Sequence, residues 1–153
     1  MAITLDVADR AIIAALLEDG GLTYDRLGKL VGLSAPAVHD RVRKMRDRGI
    51  LSAPRVEVNP DALGLHVLAF VFVRLDGGQP FAEVAAALDE MPAVVACHST
   101  AGDFDVLLEV RATDTAMLED ILTELRRLGF VRDMQTRVVL RTYFENRPPL
   151  PYV

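Results

Sequence analysis

A chain of 153 residues is long enough to bury a hydrophobic core, as one domain or as two small ones. Half of the residues are hydrophobic and a quarter are charged, which excludes a disordered chain. The single cysteine excludes an internal disulfide, and together with three histidines it excludes a zinc cluster.

The N-terminal sequence MAITLDVADR lacks the basic segment and apolar run of a signal peptide. No stretch reaches the roughly 18 apolar residues that a membrane-spanning helix requires. The sequence therefore predicts a cytoplasmic protein with no membrane partner, associated with the nucleoid if it binds DNA.

The formal net charge of −5 is unevenly distributed along the chain. Residues 1–54 carry eight Lys/Arg and seven Asp/Glu, a net of +1, whereas residues 55–153 carry nine and fifteen, a net of −6. Repulsion from the acidic part would weaken nonspecific binding to DNA. If the chain binds DNA, we expect salt-sensitive binding that uses more than one copy.

The first predicted helix begins at Asp6 or Asp9, since acids suit the positive end of a helix. Apolar residues then recur at helical spacing, namely Ile12, Ile13, Leu16 and Leu17. Gly20-Gly21 ends the helix, and its apolar side is expected to form core.

The stretch from Thr23 to Gly49 predicts two short helices joined by a tight turn. Gly32 can adopt the left-handed conformation that ends a helix, and Ser34 can cap the next one. Pro36 falls in the first turn, where it costs no helical hydrogen bond. The apolar stripes of the two helices are Leu27, Leu30 and Val31, then Val38, Val42 and Met45. This is the helix-turn-helix pattern, whose second helix enters the DNA major groove.

The second helix divides into a buried side and a polar side when its residues are placed about 100° apart. The polar side carries basic residues, acidic residues and a histidine, a mixture that can hydrogen-bond to the edges of DNA bases. The arginines on its flanks are placed for contacts with phosphates. Asp40 and Asp47 would repel phosphate, and His39 could either read a base or cover the helix surface. The alternative to DNA binding is that this whole side of the helix is simply solvated. The residues predicted to contact double-stranded DNA are Ser34, Ala35, Pro36, His39, Asp40, Arg41, Arg43, Lys44 and Arg46.

A boundary between two domains is predicted near residues 52–64. The alternating run from Arg55 to Val58 is either a short wing strand or the start of a linker, and Asn59-Pro60 signals a turn. The predicted organisation is a helix-turn-helix domain at 1–51, a linker or wing at 52–64, and a second domain at 65–153.

The second domain has the predicted order β-α-β-β-α-β, the arrangement of ferredoxin-like folds. Its elements are a strand from His66 to Leu75, a helix from Pro80 to Met91, strands from Val94 to Thr100 and Phe104 to Ala112, a helix capped by Asp114 and ended by Gly129, and a strand from Val131 to Phe144. Two helices can cover one sheet face, yet the first strand is apolar on both, so self-association is expected. Cys97 is predicted to be a small core residue.

Five segments follow one another along nearly the whole chain: LDVADRAII, LGKLVGLSAPAVHDRVRKMRDRGIL, VNPDALG, VACHSTAGDFDVLLEV and TRVVL. In these segments the chain resembles the Lrp/AsnC, or feast/famine, family of transcription regulators. The resemblance implies an α+β chain with an N-terminal winged helix-turn-helix and a C-terminal βαββαβ domain of the ferredoxin-like (RAM/ACT-like) type. It also implies dimers formed through the sheets, further assembly into tetramers or octamers, and amino acids bound between dimers.

The resemblance also places an effector site around the turn between the two middle strands. Glycine there allows close backbone approach to a carboxylate, and Asp103 or Asp105 could bind an ammonium. A plain hairpin turn is the alternative. The implied effector-binding residues are His98, Thr100, Ala101, Gly102, Asp103, Phe104, Asp105 and Thr136.

Two other functions are alternatives to a regulator. Siroheme decarboxylases resemble the same family, but they carry histidine- and arginine-bearing strands where this chain has the GDFD turn. A metabolite-binding module with a vestigial DNA domain would have lost the basic residues that remain here, Arg41 to Arg48. The sequence therefore predicts a DNA-binding transcription regulator that responds to an amino acid, without catalytic residues, metal or a further cofactor.

Overall fold

The computed structural model describes residues 4–54 and 56–145. They form two compact units, and the boundary between the units falls between Glu57 and Val58. Among the described residues, no helix has both the length and the apolar character needed to cross a bilayer.

Three helices make up the first unit: α1 (Val7–Glu18), α2 (Tyr24–Val31) and α3 (Ala35–Asp47). The two acids predicted to open α1 act together as a capping box. The backbone N–H of Asp9 donates to the Asp6 carboxylate at 2.7 Å, and that of Asp6 donates to the Asp9 carboxylate at 3.3 Å. Gly32 ends α2 with φ +71°, as predicted.

The core of the first unit contains one fully buried residue from each of the first two helices and three from α3. They are Ile12, Leu27, Val38, Val42 and Met45. The predicted apolar stripe of α2 was too wide, since Leu30 is 66% exposed. At 100° per residue Leu30 lies about 60° from Leu27, on the side away from Val31, where no helix covers it.

Gly28 is the closest backbone contact between α2 and the turn that follows it. A Cβ at this position would lie 2.5 Å from the carbonyl oxygen of Leu33. The backbone N–H of Leu33 in turn donates to the Gly28 carbonyl at 2.9 Å. Only glycine fits this contact, a constraint that the sequence pattern did not reveal.

The connection between the units contains no strand within residues 52–54 and 56–59. The wing alternative was proposed for a run that begins at Arg55, which lies outside the described residues. A 3₁₀ helix at Pro60–Leu63 follows, and Gly64 ends it with φ +77°. The described part of this connection is therefore a linker.

The second unit has the predicted βαββαβ order. Its elements are β1 (Val67–Leu75), α4 (Phe81–Asp89), β2 (Val94–Ser99), β3 (Val106–Ala112), α5 (Thr115–Arg127) and β4 (Val131–Val138). The four strands form one antiparallel sheet in the order β2-β3-β1-β4. Asp114 caps α5 as predicted, accepting the N–H of Met117 at 2.8 Å.

The two helices cover one face of this sheet. Alternate residues of β1 (Ala69, Val71, Val73) pack with Val84 and Leu88 of α4 and with α5 in a buried cluster. Phe81, at the start of α4, is 41% exposed and is not part of that cluster.

The opposite, open face carries Leu68, Phe70 and Phe72 of β1. Leu68 is buried but Phe70 and Phe72 are only partly so. In a single chain, β1 is therefore fully buried on one face and not on both.

Two predicted strands were too long. β3 begins at Val106 and not at Phe104, because the N–H of Asp105 bonds across to the carbonyl of Val73 at 2.9 Å within the turn. β4 ends at Val138, which pairs with Ala69, and not at Phe144. β1 begins only two residues further along, at Val67, so a strand continued to Phe144 would have no partner. Helix α5 ends at Arg127, with Leu128 as its C-cap, so it stops before Gly129 is reached.

Cys97 is exposed, so its prediction as a core residue was wrong. It lies on β2, an edge strand, on the helix-covered side. A groove remains between the strand and α4, lined on the helix side by Ala85, Ala86, Leu88 and Asp89, and the side chains of the two alanines are too short to fill it.

Candidate functional site

The polar side of α3 is exposed because its apolar side is held in the core. Ser34 caps the helix, its Oγ accepting the N–H of Ala37 at 3.4 Å, and Pro36 follows in the first turn as predicted. Val38, Val42 and Met45 are at most 2% exposed. Pro36, His39, Arg43, Lys44 and Arg46 are exposed, whereas Ala35, Asp40 and Arg41 are partly buried.

Asp40 binds two of the basic residues on this surface. Its Oδ1 accepts from the Arg43 guanidinium and its Oδ2 from the Lys44 ammonium, each at 2.7 Å. These bonds, first to Lys44 and then to Arg43, lower the pKa of Asp40 to about 2. The three side chains thus form a cluster of net charge +1 on the outer side of α3.

Arg41 is directed towards α1. Its guanidinium donates to the carboxylates of Asp6 and Asp9, each at 2.7 Å. Bonding to Asp6 and then to Asp9 raises the pKa of Arg41. In this structure the guanidinium therefore braces the cap of α1 against α3, whereas the sequence suggested a phosphate contact.

His39 lies against α2. Its ring meets Tyr24 edge to face, with 5.1 Å between the ring centroids. This contact holds the imidazole on the helix surface and fits the covering role, while the ring remains exposed on the side of α3 that faces solvent.

The turn that joins β2 to β3 is held by its own polar groups. Thr100 donates its hydroxyl to the carbonyl of Phe104 at 2.6 Å and its N–H to the carbonyl of Asp105 at 2.9 Å. Gly102 has φ +140°, a conformation that favours glycine. Ala101, Gly102 and Asp103 form the exposed tip of the turn.

Arg74, which the sequence reasoning missed, ties this turn to β1. Its Nε donates to the carbonyl of Asp103 at 2.9 Å, and its guanidinium lies 5.3 Å from the centre of the Phe104 ring. Phe104 in turn meets Phe72 on the open face, with 5.8 Å between ring centroids. Alternation along β1 could have placed Arg74 beside Phe72 on that face, but the contact to a turn 29 residues away required the fold.

Asp105 connects the turn to the end of β1 and to a cavity. Its Oδ2 accepts the N–H of Leu75 at 2.8 Å. The adjacent cavity has a volume of about 430 Å³ and combines carboxylates with apolar and aromatic side chains. It is lined by Leu75, Asp76, Gly77, Gln79, Phe81, Val84, Asp105, Gly129 and Phe130.

The fold separates two of the residues predicted to line one pocket. His98 on β2 pairs with Leu107 on β3, and Leu107 pairs with Phe72 on β1. His98 therefore lies on the open face of the sheet, as Phe72 does. Thr136 pairs with Val71, so it lies on the helix-covered face and at the opposite edge. Within one chain Thr136 is therefore not beside the turn, because side chains alternate in direction along β4.

No group of three or more His, Cys, Asp or Glu side chains is arranged to hold a metal ion within the described ranges. The Asp40 carboxylate of the first candidate site is bonded to two basic side chains, and the Asp105 carboxylate of the second to a backbone N–H group. Both sites are thus built from hydrogen-bonding and apolar groups.

Comparison with known proteins accounts for both units. The AsnC-type helix-turn-helix domain matches residues 5–46, and the Lrp/AsnC ligand binding domain matches residues 68–149. The helix-turn-helix transcriptional regulator FL11 of Pyrococcus horikoshii is 32% identical, covering 95% of each chain. The regulator LrpA of Mycobacterium tuberculosis is 35% identical, covering 96% of this chain and 97% of its own.

A solved structure is similar over almost the same range. The feast or famine regulatory protein of M. tuberculosis, complexed with L-methionine, superposes with a TM-score of 0.90 at 33% identity, over 97% of this chain and 100% of its own. A helix-turn-helix unit joined to a ligand-binding βαββαβ unit defines a class of transcriptional regulators. The chain belongs to the Lrp/AsnC family of that class, which confirms the resemblance noted in the sequence.

Proposed function

We propose that this regulator reads DNA with the outer side of α3. The observation that carries the proposal is the burial of Val38, Val42 and Met45, which leaves the basic and polar residues of the same helix to face solvent. Arg43, Lys44 and Arg46 supply charge for phosphates and for guanine edges. Arg41 acts in a supporting role, because its guanidinium is bound to α1.

The effector is proposed to be an amino acid bound beside the turn of residues 100–105. One carboxylate oxygen of Asp105, Oδ2, already accepts the N–H of Leu75. The other oxygen, Oδ1, can accept a hydrogen bond from the ammonium group of a ligand. The backbone around Gly102 can approach a ligand carboxylate closely. The methionine complex of the M. tuberculosis relative supports this class of ligand.

Assembly is proposed to occur through the open face of the sheet. Phe70 and Phe72 stay partly exposed there in a single chain, and a second copy would bury them. Tetramers or octamers would then bring several copies of α3 to one DNA molecule. The proposed role is regulatory and cytoplasmic, with no catalytic step assigned to any residue.

A mobility-shift assay tests this function, using the DNA upstream of the protein's own gene, with and without a panel of amino acids. We expect a specific shift that one amino acid alters. The matched variants are Asp105→Asn, which keeps an oxygen for the Leu75 N–H but loses the charge, and Asp103→Asn at the exposed tip. Asp105→Asn should abolish the amino-acid effect while the shift itself remains.

Three results would contradict the proposal or a part of it. No shift at low salt would remove the DNA-binding role, and a visible porphyrin band on the purified protein would favour an enzyme on this scaffold. A response to the amino acid that survives Asp105→Asn would move the effector site elsewhere.

A further inference from the structure

Asp40 is an acid in the middle of a surface that is proposed to meet a polyanion. Both of its oxygens already accept one bond, Oδ1 from Arg43 and Oδ2 from Lys44, at 2.7 Å each. A carboxylate offers about four acceptor positions, so each oxygen keeps capacity for a further donor. The residue lies on the first half of α3, the part of a recognition helix that contacts base edges.

We propose that Asp40 selects cytosine in the major groove by accepting a hydrogen bond from its exocyclic amino group. The inference rests on the proposed DNA-reading role of α3 and names the base that one of its residues reads. Asp40 is thereby a specificity-determining residue, distinct from the basic residues that supply affinity.

The chemistry of the base edges limits what Asp40 can face. An ionised carboxylate only accepts, and guanine presents the acceptors O6 and N7, while thymine presents O4 and a methyl group. Adenine has an amino group but sets the acceptor N7 beside it. Cytosine offers an amino donor and no major-groove acceptor on the same base, so it is the base edge that suits Asp40 best.

The side chains of Arg43 and Lys44 offset the negative charge of Asp40 at this surface. Their charges leave the cluster of Asp40, Arg43 and Lys44 at +1, so it still attracts DNA. The same bonds hold the Arg43 and Lys44 side chains in defined positions before DNA arrives. Arg43 is thereby set one helical turn from Asp40, where it can donate to a guanine beside the cytosine.

Selection of bound sequences from a random duplex library tests the inference. The full-length wild type should enrich one cytosine at a fixed position of each half-site, and Asp40→Asn should replace it with adenine, because an amide pairs with N6 and N7 of adenine. Asp40→Glu, which keeps the acceptor, should keep cytosine. Asp47→Asn removes the same charge from the exposed end of α3 and should leave the selected sequence unchanged.

The affinity for the DNA sequence that the wild-type protein selects gives the size of the effect. Replacing the selected cytosine in that DNA should weaken binding by the wild-type protein by about tenfold, and should weaken binding by Asp40→Asn much less. If the wild type selects a sequence and Asp40→Asn selects the same one, the role of Asp40 is overturned while α3 remains the reader. If the wild type selects no sequence, the proposed function itself fails.

Discussion

Two arginines two positions apart on α3 have different bonding partners. Arg41 bonds to Asp6 and Asp9 of the α1 cap, while Arg43 faces outward and bonds only to Asp40 among the ion pairs of the described residues. The helical repeat separates them by about 200°, which turns one guanidinium inward along the unit and the other towards solvent.

This division predicts opposite phenotypes for two alanine variants. Arg41→Ala should lower the thermal midpoint of the first unit, because the cap of α1 and α3 lose their shared partner. Arg43→Ala should leave that midpoint unchanged, weaken operator binding by about tenfold and reduce the slope of log affinity against log salt by about one. Differential scanning fluorimetry and mobility shifts at several salt concentrations measure both effects.

Arg74 fixes the geometry of the turn of residues 100–105, the proposed effector site, from the neighbouring strand β1. Arg74→Gln would remove the Nε bond to the Asp103 carbonyl and the contact with the Phe104 ring. We expect amino-acid affinity to fall several-fold by calorimetry, with operator affinity in the absence of effector unchanged. Equal affinity in the variant would show that the turn holds its shape through Thr100 and Asp105 alone.

At the scale of elements, the angle between α2 and α3 depends on the approach at Gly28. A methyl group there would lie 2.5 Å from the Leu33 carbonyl oxygen, so the turn between the helices must open.

Gly28→Ala is expected to lower the free energy of unfolding by about 1–3 kcal/mol, as overpacked sites do. Gly20→Ala is the control in the same unit, because its Cβ would make an ordinary contact of 3.7 Å with the Leu16 carbonyl oxygen. We expect that variant to stay within about 1 kcal/mol of the wild type. Urea unfolding followed by circular dichroism compares the two, and equal stabilities would show that the turn absorbs the methyl group.

At the scale of the whole molecule, the open face of the sheet is the surface that a single chain leaves incomplete. Phe70 lies on it between Glu109 of β3 and Arg137 of β4, partly exposed. Burial of such a face against a second copy removes apolar area from water, and a charge there would oppose it.

If the proposed dimer forms through this face, Phe70→Asp should give monomers in sedimentation or light scattering, with the circular dichroism of the fold retained. Val138→Asp is the control, since Val138 is 46% exposed on the opposite, helix-covered face of the same sheet. A dimer that persists in Phe70→Asp would place the interface elsewhere, and a dimer lost in both variants would point to the β4 edge.

The sequence by itself determined the helix-turn-helix, its caps and the βαββαβ order. Each depends on local chemistry: Ser34 and Asp114 cap helices because the orphan N–H groups lie within three residues, and Gly32 ends α2 because it tolerates positive φ. The buried side of α3 followed from its helical repeat, and the family from motifs along nearly the whole chain.

Only the tertiary structure decided which side chains meet across long separations. It paired Arg41 with Asp6 and Asp9, joined Arg74 to the turn of residues 100–105, and placed Thr136 on the other face from His98. It also left Cys97 exposed, because β2 is an edge strand beside short alanines. Periodicity gives the direction of a side chain within its own element, whereas its partner depends on strand order and register, which local pattern does not specify.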